Sequence, residues 1–245
     1  MSGFLKGAVC GVDGSKVSDN GLEADRAGVA TTHLDIEVFS DAICPWCWVG
    51  KRRLERALAA LAPEISATVT WRPFQLNPGM PKAGLDRRAY RSRKFSSWEH
   101  SQALDAQVAA AAKTDDLDFR HDLMERTPNT IDAHRLIWLA GQEARQDALV
   151  ERLFSAYFHE GQDVGSSDVL VAIGVAAGLD ATRVSTMLAS DEGLDEVAAE
   201  LSRAGRLGVS GVPTVVVNGR PIFSGAIRSE LIEGHLRVAA GQVER

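Results

Sequence analysis

The chain has 245 residues, of which 45% are hydrophobic and 24% are charged, so it can bury a full core and is not a wholly disordered protein. Its net charge of -6 at pH 7 gives no overall attraction to nucleic acid or to an anionic membrane surface. No segment reaches the ~20 apolar residues of a membrane helix, and the opening residues lack the apolar core of an export signal. We therefore expect a soluble, cytoplasmic protein with neither a nucleic-acid nor a membrane partner.

The chain contains three cysteines, an odd and sparse number that argues against a secreted scaffold held by disulfides. It favours a reducing compartment, where a close pair of cysteines indicates redox or metal chemistry. Cys10 lies in residues 1–32, which are rich in Gly, Ser, Asp and Ala and show no strand or helix periodicity. We predict that this segment is a flexible extension and that Cys10 is an incidental exposed thiol.

A strand, a helix and a second strand are predicted at the start of the fold. Apolar side chains alternate from Leu34 to Val38, and this strand leads directly into the sequence CPWC at residues 44–47. The following residues place leucine and alanine on one helical face until Pro63. Residues 65–72 then alternate apolar and polar side chains, which predicts a half-buried strand.

The pattern changes between residues 85 and 190 to helical periods without a plausible strand. The predicted helices span residues 87–112, 130–143, 147–160 and 168–177. Asp168 is a predicted N-cap, while Gly178 and Asp180 mark the end of one helix and the start of another. This block is therefore predicted to be all-helical.

A helix over residues 192–207 leads back to strands. Two apolar runs, 214–217 and 221–223, flank Asn218-Gly219, a pair that favours the positive φ angles of a type I′ hairpin turn. A last helix is predicted over residues 228–240. Val212-Pro213 stands just before the hairpin, and by itself it is typical of an ordinary turn.

The CPWC sequence has a mechanical reason to be redox-active at a helix start. Unsatisfied amides and the positive end of the helix dipole favour the thiolate form of Cys44, the predicted exposed nucleophile. Cys47, one turn later, is the predicted buried resolving thiol. Pro45 loses no hydrogen bond in the first helical turn, and Trp46 brings no charge.

Two other interpretations of the cysteine pair are weaker. A closed zinc site needs four ligands, and the sequence offers neither a second CxxC nor a His-x3–5-His pair, so we predict no metal. Two inert packed thiols are disfavoured by the helix-start position of the pair.

The sequence resembles the DsbA-like thioredoxin family, especially its FrnE-like members. The resemblance covers about residues 33 to 240 and is carried by residues 40–47, 126–130, 133–136, 153–154, 157–158 and 208–225. It implies an α/β, thioredoxin-like fold with a large all-helical insertion. The implied parts are a thioredoxin-like domain formed by 33–83 and 191–245 and an insertion formed by 84–190.

The resemblance also implies dithiol–disulfide exchange without a prosthetic group, with glutathione as a possible co-substrate. The substrate would be a protein or small thiol that carries a disulfide or dithiol. Pro213 would follow a cis peptide bond and pack against the disulfide, which leaves the backbone of Val212 to pair with the substrate. Pro45 and Trp46 would support the site.

The chain departs from relatives of this family at two positions. DsbA prototypes have His where this chain has Trp46, so their strongly oxidising potential is not carried over. Thioredoxins have a buried carboxylate six residues before the first cysteine, where this chain has Val38. Asp41 or Glu37 could serve instead, although a solvated loop aspartate is the preferred interpretation of Asp41.

Alternatives remain for function and for some polar residues. The second hypothesis is a glutathione-dependent isomerase resembling 2-hydroxychromene-2-carboxylate isomerase, and the third is a non-catalytic binding module. Asn129 either caps the helix that starts at residue 130 or faces the active-site groove. His134 could also face that groove. The basic run from Arg87 to Lys94 receives an acidic substrate or, by preference, is a solvated helix face. Oligomeric state and redox direction are not predicted.

Overall fold

The structure, a computed structural model, describes residues 31–241. The strands are β1 (Thr32–Ser40), β2 (Ile65–Pro73), β3 (Leu85–Asp86), β4 (Arg126–Thr127), β5 (Thr214–Val217) and β6 (Arg220–Ser224). The α-helices are α1 (Pro45–Leu61), α2 (Arg87–Lys94), α3 (Trp98–Ala112), α4 (Ile131–Gln142), α5 (Gln146–Phe154), α6 (Ser167–Ala176), α7 (Ala181–Leu188), α8 (Leu194–Arg206) and α9 (Ser229–Ala239). Residues Lys113–Asp115 form a 3₁₀ turn, and residues Ser155–His159 form a π turn.

A four-stranded sheet forms the centre of the protein, in the order β2-β1-β5-β6. β1 and β2 run parallel and are joined by α1, whereas β5 and β6 form an antiparallel hairpin beside β1. The helices α2 to α8 come between β2 and β5 in the chain. This is the predicted α/β, thioredoxin-like arrangement with a large helical insertion. The domain boundaries near residues 83 and 190 stay predictions.

Different helices cover the two faces of the sheet because successive side chains of a strand point to opposite sides. The face that packs with α1 and α9 carries Leu34, Ile36, Val38, Val215 and Val217. The opposite face carries Phe39 and Val216, which pack with Ala204 of α8 and with Val209. The sheet is thus buried on both sides around the strand that ends before CPWC.

Trp48 of α1 joins the sheet to the helical insertion. Its ring centroid lies 5.2 Å from that of Phe119, 6.4 Å from that of Phe154 and 6.1 Å from that of Phe158. Aromatic pairs at these distances are stabilised by about 0.5–1.5 kcal/mol beyond the area that they bury. Helix α1 therefore contributes side chains both to the core beside the sheet and to the core of the helical insertion.

Gln146, the first residue of α5, covers the outer edge of β2. Its Oε1 accepts a hydrogen bond from the Trp71 backbone N–H at 2.7 Å, and its Nε2 donates to the Trp71 carbonyl at 3.2 Å. Nε2 also lies 3.2 Å from the carbonyl of Ile137 on α4. One side-chain amide thus takes the place of a neighbouring strand and ties two helices to the sheet.

Three details of the predicted insertion are wrong. It contains the short strands β3 and β4, which pair antiparallel; two-residue strands are too short to show a periodicity. The helix predicted over 87–112 breaks before Trp98, where Ser96 has φ +69° and Ser97 caps α3 by accepting from His100 N–H. Ser166, not Asp168, occupies the N-cap position of α6.

Other local predictions are confirmed. Asn218 and Gly219 have φ angles of +49° and +77° between β5 and β6, as a type I′ turn requires. Asp180 caps α7 by accepting from the Arg183 N–H at 2.8 Å. Among residues 31–241, no helix has both the length and the apolar character that crossing a membrane demands.

Candidate active site

Cys44 occupies the N-cap position of α1, and Pro45 is the first residue of the helix. The Cys44 backbone N–H donates to the Asp41 carbonyl at 2.9 Å, and the Cys44 carbonyl accepts from the Cys47 N–H at 3.0 Å. Proline suits this position because its fixed φ is already helical and its missing N–H would have no partner there. The local sequence therefore sets the two cysteines one helical turn apart.

The loop before β5 brings Val212 and Pro213 to Cys44. The Val212–Pro213 peptide bond is cis, and the Cys44 Sγ lies 3.6 Å from the Val212 carbonyl oxygen, to which it donates. The Pro213 carbonyl accepts from the Gly225 N–H at 2.7 Å, which ties this loop to the end of β6. The fold thus brings together two segments 168 residues apart.

Both cysteines are free thiols, and both are buried. Cys47 is 0% exposed and Cys44 is 3% exposed. The predicted exposure of Cys44 is therefore wrong, because the loop that contains Val212 lies against its sulfur. Trp46 is 37% exposed, so its indole ring lies on the side of the motif that faces solvent.

The environment of Cys47 suits a thiol that reacts second. Burial raises the pKa of the Cys47 thiol well above its usual value, and the neighbouring Cys44 sulfur raises it further. The Ser40 side chain and the Asp41 backbone oppose this rise by hydrogen bonding to the sulfur. Cys47 therefore stays protonated at neutral pH until a base removes its proton.

Asp41 is not the solvated loop residue that the sequence favours: it is 0% exposed. Its Oδ2 accepts from the Leu76 backbone N–H at 2.7 Å, and its Oδ1 lies 3.6 Å from Nε2 of His134. His134 is buried on α4, and its Nε2 lies 2.9 Å from the Phe74 carbonyl oxygen. Two elements distant in sequence thus enclose a carboxylate three residues before Cys44.

Glu37, the other acid considered, lies on the sheet face that packs with α8 and serves that interface. Its carboxylate accepts from Arg72 Nε at 2.7 Å and from Arg203 Nη1 at 2.9 Å. Burial alone would raise the pKa of Glu37, but the hydrogen bonds from Arg203 and Arg72 lower it below its ordinary value of 4.5. Of the two candidate acids, Asp41 contacts the cysteine motif, and it does so through its backbone.

The basic run on α2 is partly internal, so its predicted solvated face is wrong for two of its arginines. Arg87 is buried and donates to Asp105 at 2.6 Å, while Arg91 donates to the other oxygen of Asp105 at 2.7 Å. Asn129 accepts from the Ile131 N–H at 2.9 Å, so it bonds the first amide of α4 from the residue before the N-cap position, which Thr130 occupies.

Sequence reasoning missed Ser40 and Gly50 as parts of the site. Gly50 lies on α1 where an added Cβ would stand 2.9 Å from Cγ of Pro213. A glycine in the interior of a predicted helix is the signal that could have indicated a close approach. Within residues 31–241, no group of three or more His, Cys, Asp or Glu side chains is arranged to hold a metal ion. Cys10 lies outside the described residues.

The family model for the DSBA-like thioredoxin domain matches residues 35–237. The uncharacterized protein YwbO of Bacillus subtilis is 26% identical over 201 residues, which cover 82% of this chain and 94% of that protein.

Solved structures are similar over nearly the same length. The probable DsbA oxidoreductase SCO1869 from Streptomyces coelicolor has a TM-score of 0.79 and 34% identity, over 87% of this chain and 92% of that one. A 2-hydroxychromene-2-carboxylate isomerase has a TM-score of 0.65 and 18% identity, over 86% of this chain and 100% of that one, a likeness of fold alone. The FrnE-like subtype stays a prediction. The family model matches most of this chain, and the chain is also similar in sequence to the Streptomyces structure. This chain therefore belongs to the DSBA-like thioredoxin domain family.

Proposed function

We propose that this protein is a thiol–disulfide oxidoreductase in which Cys44 is the nucleophile and Cys47 the resolving thiol. The observation that carries the proposal is the dithiol at the start of α1, with the Cys44 sulfur 3.6 Å from the Val212 carbonyl. The N-terminus of a helix is a position at which reactive cysteines are commonly found. The buried, protonated Cys47 suits the second step.

In the reducing direction, the Cys44 thiolate attacks one sulfur of a substrate disulfide and releases the other sulfur as a thiolate. Cys47 then loses its proton and attacks the Cys44 sulfur of the mixed disulfide, which releases the second substrate thiolate. The Cys44–Cys47 pair is oxidised by two electrons, and the substrate disulfide is reduced by two. The oxidising direction is the reverse of these steps.

The substrate side of the site is formed by backbone and by one aromatic ring. We propose that the Val212 backbone pairs with an extended substrate segment, as an exposed backbone edge does in strand addition. Trp46, which is 37% exposed, would contact the same substrate, and Pro45 and Pro213 would support the two cysteines. The substrate is a disulfide- or dithiol-containing protein or small thiol, with glutathione as a co-substrate and no prosthetic group.

We propose a cytoplasmic setting for this reaction. The sparse cysteine content supports it, since a cytoplasmic protein does not rely on structural disulfides. A reduced resting pair would then meet oxidised substrates.

The test is the equilibrium between dithiol and disulfide in glutathione buffers, read by mass after thiol trapping. We expect a reversible two-electron transition that Cys44→Ser abolishes and that the matched control Cys10→Ser leaves unchanged. Cys47→Ser should instead accumulate a mixed disulfide of Cys44 with glutathione. A potential of about -270 mV indicates a reductant, and one of about -120 mV indicates an oxidant.

Absence of any Cys44–Cys47 disulfide at every glutathione ratio would contradict the proposal. The isomerase alternative would then be tested by assaying glutathione-dependent isomerisation of substrates of that class. If the protein is instead a binding module, the Cys44→Ser and Cys47→Ser variants would still bind its partner.

A further inference from the structure

Two loops meet at the edge of the sheet where the cysteine motif begins. The strands β1 and β2 are parallel and end in register, so the chain leaves both strands on the same side of the sheet. The Phe74 N–H donates to the Ser40 carbonyl at 3.0 Å. The Leu76 N–H donates to Asp41 Oδ2 at 2.7 Å. The loop that follows β2 therefore lies beside the residues that lead to Cys44.

A groove of about 480 Å³ opens between this loop and helix α2. One wall is apolar and is formed by Leu76, Met80, Pro81 and Leu85. Leu76 is 38% exposed, and among residues 31–241 it is one of six large hydrophobic side chains that are exposed; Trp46 of the cysteine motif is another. Contact with an apolar side chain of a ligand would remove the Leu76 side chain from water, which is favourable.

The opposite wall of the groove is basic. Arg93 and Lys94 of α2 line it, and both are exposed. Of the residues that the structure describes, no aspartate or glutamate lines this groove. The chain as a whole has a net charge of -6, so the groove has the opposite sign from the protein that carries it. A cleft lined by one sign of charge attracts ligands of the other sign and disfavours ligands of its own sign.

Arg93 is free to bind such a ligand. Its side chain has neither a hydrogen-bond partner nor an ion-pair partner in the described part of the chain. By contrast, Arg87 and Arg91 on the same helix donate to Asp105. The five N–H donors of the Arg93 guanidinium are therefore available, and a guanidinium can bind a carboxylate through two parallel hydrogen bonds.

We propose that this groove binds the segment of a protein substrate next to its reacting cysteine, and that it selects segments with an Asp or Glu beside an apolar residue. This inference rests on the proposed disulfide exchange. Arg93 would pair with the carboxylate, and Leu76 would contact the apolar side chain. Glutathione carries carboxylates but no apolar side chain, so it would leave the apolar wall uncovered.

The test compares three short peptides, each with a single cysteine held in a mixed disulfide with thionitrobenzoate. The cysteine is flanked on both sides by the same residue, Glu, Gln or Lys, and then by leucine. Reduced protein carrying Cys10→Ser is added. The Cys44 thiolate bonds to the peptide sulfur, the bond between the peptide sulfur and thionitrobenzoate breaks, and thionitrobenzoate leaves as a coloured thiolate.

We expect the glutamate peptide to react about fivefold faster than the glutamine peptide at low salt, as for an exposed ion pair of good geometry. The lysine peptide should react more slowly than the glutamine peptide because its charge has the sign of the groove. Both differences should shrink in about 1 M salt, where the screening length falls to about 3 Å.

Arg93→Gln should remove most of the preference for the glutamate peptide, since glutamine keeps polar atoms but loses the charge. The matched control is Arg88→Gln, which removes one exposed positive charge from the same helix. Arg88 lies over the ring of Trp98, 5.7 Å from its centroid, and does not line the groove. The control should therefore keep the full preference.

Leu76→Ser tests the apolar wall separately, because the bond from the residue 76 backbone to Asp41 does not depend on the side chain. It should slow the reaction of the glutamate peptide about threefold and reduce the advantage of leucine over serine at the outer peptide positions. An unchanged advantage of leucine would contradict the apolar part of the inference.

Equal rates for the three peptides at low salt would overturn the inference, as would a preference that survives Arg93→Gln. The mixed disulfide of glutathione with thionitrobenzoate provides one more outcome. If Arg93→Gln slows its reaction and not that of the glutamate peptide, the groove is a glutathione site and the inference is wrong. Failure of the proposed function is distinct, because no peptide of any charge would then release thionitrobenzoate at a rate that Cys44→Ser abolishes.

Discussion

Replacing Gly50 with alanine tests how tightly Pro213 is packed against helix α1. The new Cβ would stand 2.9 Å from Cγ and 3.6 Å from Cβ of Pro213, and 3.9 Å from Cβ of Ala226. Carbon atoms pack best at about 3.5–4.0 Å, so only the Cγ contact is too short. Either the proline ring or the helix must move by roughly 0.6 Å or more.

Two effects of opposite sign set the magnitude. Alanine in a helix interior is favoured over glycine by about 0.5–1 kcal/mol, whereas overpacking a rigid core costs about 1–3 kcal/mol. Gly234 provides the control, since it lies within α9 and an added Cβ meets nothing within 4 Å. The difference between the two alanine variants therefore measures the overpacking term alone, about 1–3 kcal/mol.

Urea unfolding of both variants, with a common slope, measures this difference. We expect Gly234→Ala to raise the free energy of unfolding and Gly50→Ala to fall below it by that amount. Displacement of Pro213 should also change the rate at which Cys44 reacts with a small disulfide. Equal stabilisation by the two substitutions would refute the reasoning, because Pro213 would then not be pressed against α1.

Three further substitutions remove side-chain hydrogen bonds elsewhere in the fold, and unfolding measurements test them. Glu37→Gln should lower the free energy of unfolding by about 1.5 kcal/mol at neutral pH. Because Arg203 and Arg72 lower the Glu37 pKa below 4.5, the stabilisation by the charged carboxylate is present above pH 4.5. The stabilities of variant and wild type should therefore converge as the pH falls further. Arg135→Ala should cost about 3 kcal/mol, since its guanidinium serves three backbone carbonyls and a carboxylate. Asn218→Ala should cost about 1 kcal/mol, because it removes the bond to the Asp35 N–H and a residue suited to φ +49°.

Each of the three has an outcome that contradicts it. A Glu37→Gln deficit that grows in acid would reverse the sign of the linkage. An Arg135→Ala change below about 0.5 kcal/mol would be that of an ordinary surface position. An Asn218→Ala variant as stable as wild type would mean that the hairpin turn tolerates alanine at positive φ.

Local sequence patterns predict the parts of this fold that depend on near neighbours. The alternation in β1 and β2, the proline after Cys44 and the Asn218-Gly219 turn act over a few residues, and each element forms where its pattern indicates. The same holds for the spacing of Cys44 and Cys47. These features need no knowledge of what packs against them.

The features that were mispredicted depend on partners from elsewhere in the chain. Asp41 resembles a solvated loop residue until the Leu76 backbone and His134 enclose it. Cys44 looks exposed until the Val212 loop lies against its sulfur. Burial is a property of the assembled surfaces, so composition and periodicity around one residue cannot give it.

The side chain of Gln146 has a consequence for how molecules of this protein meet one another. A bare outer strand can recruit a strand from a second molecule, which is a common first step toward aggregation. Here an amide already occupies the N–H and the carbonyl of Trp71. A foreign strand would have to displace that amide before it could pair along this stretch, so Gln146 disfavours self-association through the β2 edge of the sheet.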